Sequence, residues 1–237
     1  MNLSSEVLRD GDRARAVGRI VCADDRYGLL HDFGQPLRTD IVMDQSAVVE
    51  LTGLDDELVA WLGSGIGSRA AVHGRWTGAS IEVGTGGHLE LLKQPPPRDD
   101  LTVRPSRVGQ ASKDRSIAQA PLWADGILLS LITATSNEAK YHAIVTDIAA
   151  AGKVLRPLYG NVIEYHLSRW SATTLSDLEK VVVNHAESIV SSFGEEHTHE
   201  HQIIKTAFIH HITASFARDL EPYSREAIGL SILVERV

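Results

Sequence analysis

The chain has a single cysteine, Cys22, so no disulfide can form within it. No apolar run approaches the roughly 18 residues that a spanning helix needs. The opening stretch, MNLSSEVLRDGDRARAVG, lacks the apolar segment of a signal peptide. Cytoplasmic residence and no membrane partner are therefore the expectation. Aromatic residues make up only 5% of the chain, which leaves little material for stacking on bases. Motifs that carry chemistry are also scarce. There is no CxxC pair, P-loop, Rossmann fingerprint, GxSxG elbow or HExxH helix. The glycines of GSGIGS follow a helical pattern and precede a strand pattern, the reverse of a phosphate loop, so a helix-exit loop is expected there. Cys22 falls between Val21 and Ala23 in an apolar run and reads as a buried small hydrophobe.

Basic charge is in short supply as well. The formal net charge is -8, with -5 on residues 1–94, +2 on 95–115 and -5 on 116–237. Neither end of the chain offers an obvious phosphate-tracking surface, and the acidic balance disfavours a nucleic-acid partner. A hydrophobic fraction of 43% is enough for a substantial core.

What the chain does contain changes character at KQPPPRDDLTVRPSRVGQASKDR. Three consecutive prolines stiffen an extended backbone, and no apolar period follows them. The pattern predicts three parts: a β-rich domain over 1–93, a linker over 94–115 and a helical domain over 116–237.

Upstream, ARAVGRIVCA, YGLLHD, PLRTDIVM, GSRAAVHGRW, GASIEV and GHLELLK read as short strands, with Asp24-Asp25, Gly78 and Gly84–Gly87 at turns. Between the third and fourth runs, Leu54, Leu58, Trp61 and Leu62 share a helical face, and Thr52 with Asp55 suggests a cap. This order of elements over 15–93 resembles an OB-fold, a small Greek-key barrel. The resemblance rests on element order alone. It implies a groove for single-stranded nucleic acid, for which Trp76, Arg75 and Arg69 are the candidate contacts.

Downstream, the spacing predicts helices. Tyr141, Ile144, Ile148, Ala151 and Leu155 form one stripe, which Pro157 should end. PLYGNVIEYHLSRW reads as a helix, and LSDLEKVVVNHAESIVSSF as another with Gly194 as its C-terminal cap. The expected fold is α+β: an OB-like barrel, a proline-rich linker and an all-α bundle of five or six helices.

One segment is chemically dense. EEHTHEHQIIKTAFIHH, residues 195–211, holds five of the eleven histidines. On a helix, His197 and His201 stack four residues apart and can chelate one ion, with His142, His166 or His185 completing the set. A solvated helix start with buried, hydrogen-bonded imidazoles explains the same residues without metal. A surface that titrates near pH 6.5 is a third explanation.

Three functional readings follow. The leading one is a non-enzymatic binding or adaptor protein that engages a protein partner through two surfaces and needs no cofactor. The second is a metal-dependent hydrolase using Zn²⁺ or another divalent transition metal held by His197, His201, His185, His142 and His166. The third is single-strand nucleic-acid binding by the barrel.

Overall fold

A computed structural model describes residues 3–31, 47–84, 87–93, 113–133, 140–186, 190–198 and 200–237. The triple proline, most of the expected linker and the run PLRTDIVM lie outside the described residues.

The first strands form as their alternation predicts. β1 (Arg13–Ala23) buries every second side chain from Ala14 to Ile20. It turns into β2 (Arg26–Leu30) through Asp24-Asp25, both at positive φ (52° and 58°), as a two-residue hairpin loop of matching twist requires. β3 is Val48–Thr52, so Thr52, expected with Asp55 to cap the helix, ends a strand instead. α1 (Asp56–Ser64) follows, capped by Asp55, whose side chain accepts from the Leu58 N–H at 2.9 Å. β4 (Arg69–Trp76), β5 (Ser80–Glu82) and β6 (His88–Leu91) complete this region. β1 pairs with both β2 and β4, and β3 with β5, so the strands close in the order β1-β2-β3-β5-β4. Cys22 does not fill the core as expected. It is exposed although it shares the parity of the buried Ile20, because it lies at the hairpin end of β1; Val21, on the opposite face, is buried with Val48.

Downstream of residue 113 the expected bundle is not there. α2 (Lys113–Ala124), β7 (Leu128–Thr133), β8 (Tyr141–Val145), α3 (Ile148–Tyr159) and β9 (Ile163–Leu167) form one layered unit. α4 (Ala172–Asn184), β10 (Val190–His197), β11 (Ile203–Ile209), α5 (Ala214–Leu220) and β12 (Ile228–Ile232) form a second. The fold is therefore mixed α/β with three sheets among the described residues. It is not an N-terminal barrel followed by an all-α bundle.

The two units share one plan. In each, an antiparallel hairpin is followed by a helix that crosses over to a parallel third strand. Both hairpins carry a register shift at the same step, Leu128 to Ser130 in β7 and Val190 to Ser192 in β10. The inward residues also correspond. Leu131, Ala143, Val145 and Ile163 pack under α2 and α3, as Phe193, Ala207, Ile209 and Ile228 do under α4 and α5.

The ends of the chain tie these parts together. β13 (Val234–Arg236) pairs with β1, and Leu233 and Val234 lie in the core of the first sheet. Leu3 and Val7 reach the other way, into the core under α4 and α5. The first sheet therefore takes in chain from both ends of the sequence.

Candidate metal centre

Each three-stranded sheet has one face under its helices and one face turned elsewhere. In the first unit, alternation along the strand sends Ala143 and Val145 under the helices and His142 and Ile144 to the other face. On β9, Glu164 and His166 share that second face, and the parallel register sets His142 opposite Glu164 and Ile144 opposite His166. The corresponding face of the second unit carries Thr206, Phe208, Gly229 and Ser231, none of them an imidazole. There His31 reaches in from the first sheet, edge-on to Phe208 at 5.0 Å and 3.0 Å from the Ser231 carbonyl.

The histidine-bearing face of the first unit is covered by the second. Ile132 and Ile144 pack with Leu175 and Ile203. Just before Ile203, the turn between β10 and β11 brings His201 over the first sheet. Its ring stacks on His142 at 4.3 Å and on His166 at 4.0 Å. His142 Nδ1 and His166 Nε2 lie 2.9 Å apart in a hydrogen bond. One nitrogen from each of the three rings falls within 4.8 Å of the others. Nitrogens around a tetrahedral Zn²⁺ sit about 3.3 Å apart, so coordination requires the stacked rings to turn and the His142–His166 hydrogen bond to give way.

Burial favours the neutral, ligating form of His166 and His201. Burial is the main cause lowering the pKa of His166, helped by the neighbouring His201 and His142 and opposed by Glu164. Burial likewise lowers His201, with His142 adding and Glu164 opposing. Glu164 is held by Lys140 at 2.6 Å, the main cause of its lowered pKa, and lies 3.7 Å from His142 Nδ1.

The turn carrying His201 is closely specified. His201 has φ of 54°, a left-handed conformation that costs a non-glycine residue about 1–2 kcal/mol. Its N–H donates to the Thr198 carbonyl, and Gln202 N–H donates to Thr198 Oγ1. Beside this turn, Arg169, Trp170, Glu200, Gln202 and Glu226 line a cleft of about 330 Å³, with Arg169 paired to Glu200 at 2.6 Å and to Glu226 at 3.4 Å.

Of the five histidines read as ligands, the structure gathers His142, His166 and His201. His197 stands apart: it lies on a strand rather than a helix and bonds Ser130 Oγ at 2.9 Å across the edges of the two sheets. Its pKa is lowered by burial, against Glu195. The expected helical pairing of His197 with His201 fails because residues 195–209 form a hairpin. His185 ends α4, paired with Asp219 at 3.0 Å and edge-on to Phe216.

The residues read as nucleic-acid contacts fare differently. Trp76 is 2% exposed and packs against His210 and His211, so it has no face free for a base. Arg75 is exposed and Arg69 half-buried on the same strand.

Two features carry no sequence signal. Gln202 is a buried amide within a polar run, and its partners, Arg169 and Leu167, are set only by tertiary packing. His31 acts electrostatically on His210, far away in the chain, and His210 bonds its neighbour His211 at 3.0 Å.

Compared with protein-family models, with curated proteins and with solved structures, the chain matches none.

Proposed function

We propose that this protein binds one divalent transition-metal ion, Zn²⁺ in the first instance, through His142, His166 and His201. The observation that carries this reading is the convergence of three half-buried imidazoles, from β8, β9 and the β10–β11 turn, within 4.8 Å. Neutral imidazole suits zinc, copper, iron and nickel, and excludes magnesium and calcium as first choices. The lowered pKa of His166 and His201 keeps them unprotonated at neutral pH.

The number of ligands favours a second step. Closed structural zinc sites use four protein ligands, whereas three histidines leave a position for water, as in metal-dependent hydrolases. We therefore retain hydrolysis as the reaction class to test. An adaptor role drew its support from two separate surfaces, one of them on a helical bundle. With sheets in place of that bundle, the three-histidine group offers the most specific chemistry.

Zinc-edge X-ray absorption of the tag-free protein tests the reading. Three nitrogen ligands at about 2.0–2.1 Å are expected. A spectrum of hexahydrated zinc would reject it.

A further inference from the structure

We infer that Gln202 is the positioning residue of this centre: its side-chain amide clamps the β10–β11 turn of the second unit to the end of β9 in the first, and so delivers His201 as the third ligand. This rests on the metal-binding reading above and concerns how that site is completed.

The ligands come from different units. His142 and His166 belong to one sheet, and their separation is fixed by the ladder of that sheet. His201 belongs to a turn in the other unit, and among the described residues no backbone pairing joins the two sheets to hold it there. Some other contact must set its position.

Gln202 makes that contact. Its Oε1 accepts from the Arg169 backbone N–H at 2.8 Å, and its Nε2 donates to the Leu167 carbonyl at 3.1 Å. Leu167 ends β9 one residue beyond His166, and Arg169 is two further on. One buried amide therefore satisfies a donor and an acceptor of the strand exit that carries His166, while its own backbone adjoins His201. At 9% exposure the Gln202 side chain is largely out of water and its bonds are part-buried, so a missing partner leaves a backbone group poorly satisfied. The planar amide presents its acceptor and donor at fixed separation, which sets the turn in both distance and orientation. Thr198 completes the arrangement from within: its backbone pairs with Gln202 at 2.9 Å and its hydroxyl accepts from the Gln202 N–H at 3.1 Å.

The consequence is linkage. If the clamp orders the turn in advance, metal binding does not bear that ordering cost, and metal bound to His201 tightens the same turn in return. Residues that orient ligands typically account for ~10- to 100-fold in metal affinity.

Cobalt titration of the tag-free chain, read by the visible absorption of tetrahedral Co²⁺, is the test. Wild type should develop the band. Gln202→Ala should bind ~10- to 100-fold more weakly and give the weaker band of His201→Ala, while Gln202→Glu, which keeps the acceptor for Arg169, should fall between. Wild-type affinity and spectrum in Gln202→Ala overturn the positioning role and leave the metal site standing. No band in wild type overturns both. Should Gln202→Ala fail to fold, hydrogen exchange on wild type decides: saturating Zn²⁺ must slow exchange of the His201 and Gln202 amides, and unchanged rates reject the linkage.

Discussion

His142 and His166, diagonal neighbours on one face of a parallel ladder, share one hydrogen bond of 2.9 Å, and a third imidazole from another unit lies stacked over both. A ladder alone could not bring His201 there. The site exists because the second αββαβ unit closes over the open face of the first.

Glu164 lies 3.7 Å from His142 Nδ1, and its charge favours the protonated forms of His166 and His201. Replacing it with glutamine removes that support. Glu164→Gln should therefore shift the titration of His166 and His201 further down in the metal-free protein. Histidine proton resonances followed against pH in wild type and variant check this. An upward shift would contradict it.

A second imidazole group responds to acid. Burial, with His210 adding, lowers the His211 pKa from 6.5 to about 4, and burial also lowers His210, against its bond to the Val48 carbonyl. The unfolded chain binds protons that the folded chain does not in the window between about 6.5 and 4. Stability from His211 is thus complete above pH 6.5, falls as pH drops through that window and is gone below it. After discounting for partial exposure, the loss is on the order of 2 kcal/mol. Denaturant midpoints at pH 7.5 and pH 4.5 should differ for wild type, and by less for His211→Phe.

Leu233 is fully buried in the core of the first sheet, from the far end of the chain. Leu233→Ala should destabilise the protein by about 2–5 kcal/mol. Exchange protection should fall in β1, far upstream in the sequence, where Val17 N–H donates to the Leu233 carbonyl at 3.1 Å. Loss confined to residues near 233 would contradict a shared core.

Several features were readable from residue order, and others were not, for physical reasons. The β1–β2 turn at Asp24-Asp25 follows from local chemistry and needs no tertiary knowledge, whereas the cap expected from Thr52 with Asp55 falls on Asp55 alone, because Thr52 belongs to β3. The segment YHAIV was misread because strands buried on both sides give a continuous apolar run, and Tyr141, Ile144 and Ile148 then also satisfy a helical spacing. Asp147 in fact divides that run, capping α3 through the Ala150 N–H. Pro157 did not stop the helix at Arg156, because it sits in the last turn before Tyr159. Gly194 lies within β10, and the C-terminal cap of α4 is His185. The alternation of β11 was hidden by Lys205. It takes an inward position at 8% exposure and is stabilised there by Glu195 at 2.9 Å and Glu179 at 3.1 Å. Without Lys205 in a buried slot, Ile203, Ala207 and Ile209 would have declared a strand. The metal candidates His142, His166 and His201 were legible as residue types. Their grouping, and the exclusion of His185 and His197, depended on sheet register and on the turn.

Zinc retained after desalting, counted per chain by native mass spectrometry of tag-free protein, tests the central claim most directly. Wild type and His185→Ala should each keep one ion, and His201→Ala and His166→Ala none. Equal retention in wild type and His201→Ala, or none in wild type, would contradict a metal centre built across the two units.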